Sequence, residues 1–165
     1  MRHPATQAVE RYYTLFNEKD WPGITAMFDL PATILVGPRK VLLEKLEAVT
    51  ALYRGLGDKC VDEGVVRVSW DRGSFALFQV HDDLAIVKTV VTREAADRTP
   101  IKTWSCSYTL RLVGADWLFT HNVRRRRRRQ GRSNISVNLT AERSQRTASD
   151  TASSEPAAAS SMTGR

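Results

Sequence analysis

The spacing of apolar residues changes once along this chain, and this change limits the fold more than any other feature. Up to Leu56, large apolar side chains recur mostly three or four positions apart, which is the spacing of one helix face. From Cys60 to Val123 they tend to alternate with polar residues, which is the period of a strand. The pattern therefore predicts an α+β architecture in which helices cover the one apolar face of a sheet.

Three helices are predicted in the first part of the chain. The first begins near Pro4, and the second begins after Asp20, a residue type that accepts hydrogen bonds from the first turn of a helix. The second helix ends before Pro31, because a residue that precedes proline is pushed out of helical geometry. The side chains that these two helices bury would be Val9, Tyr12, Tyr13, Phe16, Ile24, Met27 and Phe28.

A short apolar strand, Ala32 to Val36, separates the second helix from the third. The third helix follows Gly37 and Pro38, and it is expected to stop at Gly55 or Gly57. Its apolar face would be formed by Leu42, Leu46, Val49, Tyr53 and Leu56. The helical part of the chain is expected to end there.

Five strands are predicted in the second part. Turn residues such as Asp71 to Gly73 and Gly114 to Asp116 separate runs that are rich in Val, Thr, Phe and Trp. Most connections are too short for parallel crossovers, so these strands should form an antiparallel meander. The predicted strands are Gly64 to Trp70, Ser74 to Val80, Leu84 to Arg93, Ile101 to Leu112 and Trp117 to Val123.

The net charge of +7 is located at one end of the chain. From Arg124 to Arg165 there are ten arginines and three acids, whereas 15 basic and 15 acidic residues balance before that point. The same segment has twelve Ser or Thr and no aromatic residue. Its apolar surface is therefore too small to offset the conformational entropy that ordering the segment would cost. We therefore predict one folded domain, residues 1–123, and a disordered tail, residues 124–165, that is rich first in Arg and then in Ser, Thr and Ala.

Composition also excludes several classes of protein. No apolar run is long enough for a membrane-spanning helix, and the N-terminal residues lack the apolar core of a signal peptide, so a cytoplasmic location is expected. The two cysteines, Cys60 and Cys106, do not have metal-ligand spacing and are expected to be free thiols. We therefore expect neither a metal site nor a cofactor.

The order of the predicted elements resembles the nuclear transport factor 2-like superfamily. The closing pair of strands, Tyr108 to Leu112 and Trp117 to Val123, is similar to the C-terminal hairpin of that superfamily. The N-terminal residues similar to ketosteroid isomerase-like and SnoaL-like members are Arg11, Tyr12, Asp20, Ile24, Met27, Phe28, Ala32, Thr33 and Ile34. The resemblance spans about residues 5–123 and implies a cone-shaped, cystatin-like fold, with three N-terminal helices on a strongly curved, mostly antiparallel sheet.

The resemblance also suggests where catalytic groups would lie. In the isomerases, a tyrosine and a protonated acid donate hydrogen bonds to an oxyanion, and an aspartate on the first strand moves the proton. The tyrosine matches Tyr12, the acid falls at about Tyr108 and the base falls at Val36, an aliphatic residue that cannot move a proton. His121 matches a histidine of SnoaL-like cyclases, but Val123 stands where an aspartate should follow. Enzymatic activity is therefore left open, and the candidates for catalysis are Tyr12, Tyr108 and His121.

In such a fold the helices and the concave face of the sheet enclose an apolar pocket. We predict that this pocket binds a small apolar or aromatic molecule, and the alternative is an isomerase, cyclase or dehydratase. The predicted ligand-binding residues are Tyr12, Phe16, Val36, Trp104, Cys106 and Tyr108. For the tyrosines, Cys106 and His121, the competing interpretation is a structural role in the core.

Two partner surfaces are predicted. If Tyr108 points inward, a row rich in Ser and Thr faces outward and suits a homodimer formed through the sheet. That row is Thr103, Ser105, Ser107, Thr109 and Arg111. The arginines from Arg124 to Arg129 would attract nucleic acid or another polyanion, although no aromatic residues lie among them to stack on bases. A dimeric scaffold that presents this basic tail is therefore a third hypothesis.

Overall fold

Among the described residues, the helices lie in the first half and most strands in the second, as the spacing predicts. The computed structural model describes residues 2–36 and 38–126. Its helices are α1 (Pro4–Glu18), α2 (Trp21–Thr25) and α3 (Leu46–Asp62), and none of these combines the length and apolarity needed to cross a membrane. Its strands are β1 (Phe28–Val36), β2 (Arg39–Leu43), β3 (Arg67–Trp70), β4 (Ala76–His81), β5 (Leu84–Glu94), β6 (Pro100–Val113) and β7 (Asp116–Arg126).

Helix α1 forms where it is predicted, and its apolar stripe faces the interior. The Nδ1 atom of His3 accepts a hydrogen bond from the Ala5 backbone N–H at 3.2 Å and caps the first turn. The helix ends where Lys19 adopts a left-handed conformation with φ 58°. Val9 and Tyr12, on the inner stripe, are 0% and 1% exposed. The stripe therefore brings the Tyr12 phenol into the core.

The segment after α1 differs from the prediction in where helix gives way to strand. Asp20 caps α2 as predicted, by accepting a hydrogen bond from a backbone N–H of the first turn at 2.9 Å. The helix, however, ends at Thr25, well before Pro31. Met27 and Phe28 are buried as predicted, but they lie beyond the end of the helix. Pairing with β7 is the reason, because the Phe119 backbone N–H donates to the Met27 carbonyl at 2.8 Å.

Strand β2 replaces the predicted first turn of the third helix. It forms a hairpin with β1 in which Leu43 lies opposite Ala32, and both residues are buried. Leu42, which helical spacing places inward, is 55% exposed. The helical prediction for residues 39–43 is wrong, because the periodicity of a short apolar run does not separate a helix from a strand.

Helix α3 continues past Gly55 and Gly57, its predicted stops. A Cβ atom at Gly57 would lie 2.6 Å from the Trp21 ring, so the glycine there allows α2 and α3 to approach closely. Cys60 therefore lies in α3, and the strands resume only at Arg67.

The described strands form one sheet in the order β2, β1, β7, β6, β5, β3, and β4 also pairs with β5. The strands from β3 onward pair with one another in antiparallel fashion, as predicted, whereas β1 runs parallel to β7. The fold is the predicted α+β class, with the helices against a curved, mostly antiparallel sheet.

Strand β6 shows the predicted alternation most clearly. Cys106, Tyr108 and Leu110 are buried on the inner face, and Trp104 continues their row as a half-buried residue. Ser105, on the outer face, is exposed. The inner face of this strand is therefore apolar and aromatic, as predicted.

Strand β7 extends beyond its predicted end at Val123 and reaches Arg126. Residues 124–126 therefore belong to the sheet and not to the predicted tail. The rest of that tail, residues 127–165, lies outside the described residues.

Candidate functional site

All four tyrosines of the chain lie together between α1, α3 and the sheet, and we call them the tyrosine cluster. They are Tyr12, Tyr13, Tyr53 and Tyr108, and none is more than 4% exposed. The Tyr12 hydroxyl donates to the Tyr53 hydroxyl at 3.3 Å, and the hydroxyls of Tyr13 and Tyr108 form a second pair. Edge-to-face contacts between aromatic rings stabilise the cluster. One example is the contact of Tyr12 with Phe119, whose ring centres are 5.3 Å apart.

An arginine from β7 enters this aromatic interior. Arg124 lies opposite Cys106 in the sheet, so its side chain is on the inner face. Its Nη2 atom donates to the Tyr12 hydroxyl at 2.8 Å. Its Nε atom is buried and has no hydrogen-bond partner among the described residues. The site therefore holds a guanidinium group whose hydrogen-bonding capacity is only partly used.

A bulge in β7 is the reason that Arg124 points inward. Leu110 pairs with Phe119, but the preceding residue, Thr109, pairs with His121, so Thr120 is an extra residue in β7. Beyond the bulge the inward positions are therefore shifted by one residue. Asn122, which is 1% exposed, and Arg124 face the interior, whereas His121 lies on the outer face beside Thr109.

Burial keeps the tyrosine cluster protonated. Desolvation raises the pKa of Tyr13, Tyr53 and Tyr108 well above the ordinary value of 10.0. It also raises the pKa of Tyr12, where the positive charge of Arg124 opposes the shift. At neutral pH these groups are therefore phenols that can donate hydrogen bonds.

Arg124 keeps its charge in this environment. Desolvation by itself lowers the pKa of its guanidinium, but interactions with the surrounding phenol groups outweigh that effect and hold the pKa well above its usual range. No carboxylate among the described side chains lies within ion-pairing distance of it. The charge is therefore partly removed from water, and the described part of the chain provides no acidic partner for it.

A second guanidinium reaches the same region from β5. Arg93 is 6% exposed, and its Nη1 atom donates to a Glu63 carboxylate oxygen at 2.9 Å. The other oxygen of Glu63 accepts from Lys102 Nζ at 2.9 Å. Arg93 also lies over the Trp104 ring, 4.8 Å from its centre. Arg93 therefore has a countercharge within the described structure, whereas Arg124 has none there.

A small cleft opens to the surface where these groups meet, and we call it the Arg124 cleft. Its volume is about 20 Å³, enough for about one water molecule. The residues that line it are Tyr12, Tyr13, Phe16, Val68, Val91, Arg93, Trp104, Cys106 and Arg124. Most of the predicted hollow is therefore filled by the chain's own aromatic side chains.

A larger groove, of about 310 Å³, lies between the end of α1, α3 and β3. It is mainly apolar, and Phe16 is its only predicted ligand-binding residue. Cys60 lines it, and desolvation raises the pKa of that thiol. The thiol therefore stays protonated at neutral pH, which agrees with a packing role.

The structure brings most of the predicted site residues together. Four of them, Tyr12, Phe16, Trp104 and Cys106, line the Arg124 cleft. Tyr108 lies behind them and reaches the cleft through its contact with the Tyr13 hydroxyl. The roles of these residues stay predictions.

Two further predicted residues are not placed in the cleft. His121, a weak catalytic candidate, is on the opposite face of the sheet from the tyrosine cluster. Val36 ends β1, and its side chain lies outside the described part of the structure. Among the described residues, no group of three or more His, Cys, Asp or Glu side chains is arranged to hold a metal ion.

Sequence reasoning misses the two arginines of the cleft. The alternating pattern presents Arg93 only as the end of a strand, and the run of arginines that begins at Arg124 places that residue in the tail. The inward position of Arg124 follows from the bulge at Thr120, and the alternating pattern alone gives no sign of a bulge.

Comparison with known families gives one match along nearly all of the described chain. A family model described as NTF2-like protein (DUF6841) matches residues 3–127. Among curated proteins, none matches the sequence.

Solved structures match the fold at low sequence identity. Aln2 from a Streptomyces species is 21% identical with a TM-score of 0.60, and the match covers 74% of this chain and 88% of that one. A putative scytalone dehydratase from Novosphingobium aromaticivorans is 16% identical with a TM-score of 0.60, and the match covers 76% of this chain and 83% of that one. A protein of unknown function with a cystatin-like fold from Nostoc punctiforme is 11% identical with a TM-score of 0.60, and the match covers 73% of this chain and 86% of that one. At these identities the likeness shows the cystatin-like fold alone.

Proposed function

The chain belongs to the NTF2-like family described as DUF6841, and we propose that it binds a small apolar or aromatic molecule at the Arg124 cleft. One observation carries this proposal. The guanidinium of Arg124, whose buried Nε has no hydrogen-bond partner among the described residues, and the Tyr12 phenol to which it donates both line an opening in a largely aromatic interior. Pockets that bind small molecules combine apolar walls with a few such polar groups.

Packing alone gives a weaker account of the same groups. A buried donor without a partner costs about 1–3 kcal/mol, and an apolar side chain of similar size at the Arg124 position would avoid that loss. A bound molecule that accepts the unused hydrogen bonds offsets it. The arrangement is therefore better explained by binding than by folding.

The size of the cleft sets the next requirement. A volume of about 20 Å³ does not hold an aromatic ring, so a ligand has to displace a side chain at the mouth. Trp104 is the candidate, because it lines the cleft and is only half-buried. We propose that its indole ring moves aside and then packs against the bound molecule.

Thermal-shift screening of the full chain with small aromatic molecules tests binding. We expect stabilisation by ring compounds, and Trp104→Phe should reduce it. Trp117→Phe is the matched control, since Trp117 lines a different surface cleft. Equal responses of the two variants would place binding elsewhere, and no response across the panel would contradict the proposal.

An isomerase, cyclase or dehydratase is the second candidate. The phenols and guanidinium of the cleft are donors of the kind that stabilise a developing oxyanion. Among the described residues that line the cleft, however, none is a carboxylate or an imidazole that would accept a proton. An enolisation assay with a conjugable ketone tests this candidate, and a rate equal to that in buffer would remove it.

We also propose a homodimer formed through the outer face of the sheet. Phe78, Ile86 and Thr109 form a row across that face, and Phe78 is 51% exposed. Sedimentation of the full chain should show a dimer at micromolar concentration, and Thr109→Arg should dissociate it. Thr14→Arg, on the exposed side of α1, is the matched control. A monomer at that concentration would contradict the proposal.

The basic tail and the cellular location stay predictions. Of the six consecutive arginines, Arg124 faces the interior and Arg125 is exposed. The arginines from Arg127 to Arg129 lie outside the described residues. Oligonucleotide binding at two salt concentrations would test attraction to a polyanion.

A further inference from the structure

Resting on the proposed function, we infer that the molecule bound at the Arg124 cleft is an anion, an apolar or aromatic carboxylate whose charge faces Arg124. The charged groups that line the cleft point to this chemistry. They are two guanidinium groups, Arg93 and Arg124, and no carboxylate is among the described lining residues. The other polar groups of the lining are two phenols, one thiol and the indole N–H of Trp104. The cleft therefore presents mainly donors, which suit a ligand rich in acceptors.

The charges around the cleft do not cancel. Glu63 is the one described carboxylate that reaches Arg93, and its two oxygens are shared between Arg93 and Lys102, with Lys59 at 4.0 Å. Arg124 adds a further positive charge without an acidic partner among the described residues. An anion would therefore be attracted to the mouth of the cleft.

The guanidinium of Arg124 has donors to spare. It makes one described hydrogen bond, to the Tyr12 hydroxyl, and its buried Nε has no partner. A guanidinium fork matches the two oxygens of a carboxylate, and such charge-assisted hydrogen bonds are stronger than those to a neutral acceptor. The remaining walls, which include Phe16, Val68 and Trp104, are apolar and suit a hydrocarbon or aromatic body.

Titration calorimetry of the full chain with benzoate and benzamide tests the inference, because the two molecules share a ring and differ in charge. We expect benzoate to bind about tenfold more tightly. Added salt should weaken the binding of benzoate and leave the binding of benzamide unchanged. Arg124→Met should remove the preference while benzamide still binds. Arg125→Met is the matched control, since Arg125 is the adjacent, exposed arginine, and it should keep the preference.

The outcomes separate the inference from the proposed function. Equal affinities for benzoate and benzamide, or a preference that survives Arg124→Met, would overturn the inference and leave the proposed function standing. Binding of neither molecule would overturn both. If Arg124→Met does not fold, the salt dependence in the native protein decides, and a benzoate affinity that is insensitive to salt overturns the inference.

Discussion

Two arginines reach the Arg124 cleft from different strands, and their surroundings differ. Arg93 on β5 is ion-paired to Glu63 at 2.9 Å and lies over the Trp104 ring. Arg124 on β7 has a phenol as its described partner and a buried Nε with none. Both guanidinium groups are partly or fully removed from water, but among the described residues only Arg93 has a countercharge.

The difference separates two reasons for burying a charge. A paired charge such as Arg93 is satisfied within the fold, so no ligand is needed to explain it. An unpaired charge such as Arg124 lowers stability unless something binds it. The comparison therefore predicts that changes on the Arg93 side affect mainly stability, whereas changes on the Arg124 side affect mainly binding.

Glu63→Gln should have the largest effect on stability, because it leaves the buried Arg93 without a countercharge. We expect the free energy of unfolding to fall by about 2 kcal/mol, less than for a fully buried pair, since the Glu63 side chain is 22% exposed. Chemical denaturation measures the change. Asp62→Asn, at the neighbouring exposed carboxylate, should alter it by less than about 0.5 kcal/mol. Similar losses in both variants would refute the role of the ion pair.

The same ion pair predicts a pH dependence. A hydrogen bond from Lys102 lowers the pKa of Glu63 below the ordinary 4.5, with Arg93 adding to the shift and desolvation opposing it. Because the folded-state pKa is the lower one, the stabilisation is complete above 4.5 and is lost as pH falls through the folded-state pKa. The stability difference between the native protein and Glu63→Gln should shrink over that range. A difference independent of pH would contradict this.

Arg124→Met should affect stability less than removal of the Glu63 carboxylate does. It removes one hydrogen bond to Tyr12 and also removes a charge without an acidic partner, and these changes oppose each other. We expect the free energy of unfolding to change by less than about 1 kcal/mol. Arg93→Met, the same substitution on the paired side, should destabilise more in the same denaturation series. The reverse order would contradict the comparison.

The Arg93 side of the cleft is also easier to anticipate from the sequence than the Arg124 side. Inner and outer residues alternate without interruption along β5 and β6, through Arg93 and Trp104. Counting every second residue therefore identifies the inner residues of these strands correctly. On β7 the same counting puts His121 inward, whereas the bulge at Thr120 puts Asn122 and Arg124 there. A bulge is a property of the pairing between two strands, and a single strand's pattern does not reveal it.

The other misplaced elements have the same physical cause. Phe28 belongs to a strand because it pairs with β7. Residues 39–43 form β2 because they pair with β1. Local spacing predicts both segments as helical, since short apolar runs fit either structure. The prediction of helix α1 is confirmed, because its stripe recurs over several turns. Long periodic segments are thus predictable, and long-range pairing decides the short ones.

Arginine side-chain NMR reports whether the guanidinium of Arg124 points inward, the arrangement on which the proposed binding depends. The Nε–H signals of Arg124 and Arg125, assigned with Arg124→Lys and Arg125→Lys, are compared in the free protein and with benzoate. We expect the Nε–H of Arg124 to exchange slowly with solvent and that of Arg125 to exchange fast, and benzoate should shift the signal of Arg124 alone. Equally fast exchange at both, with no benzoate shift at Arg124, would contradict it.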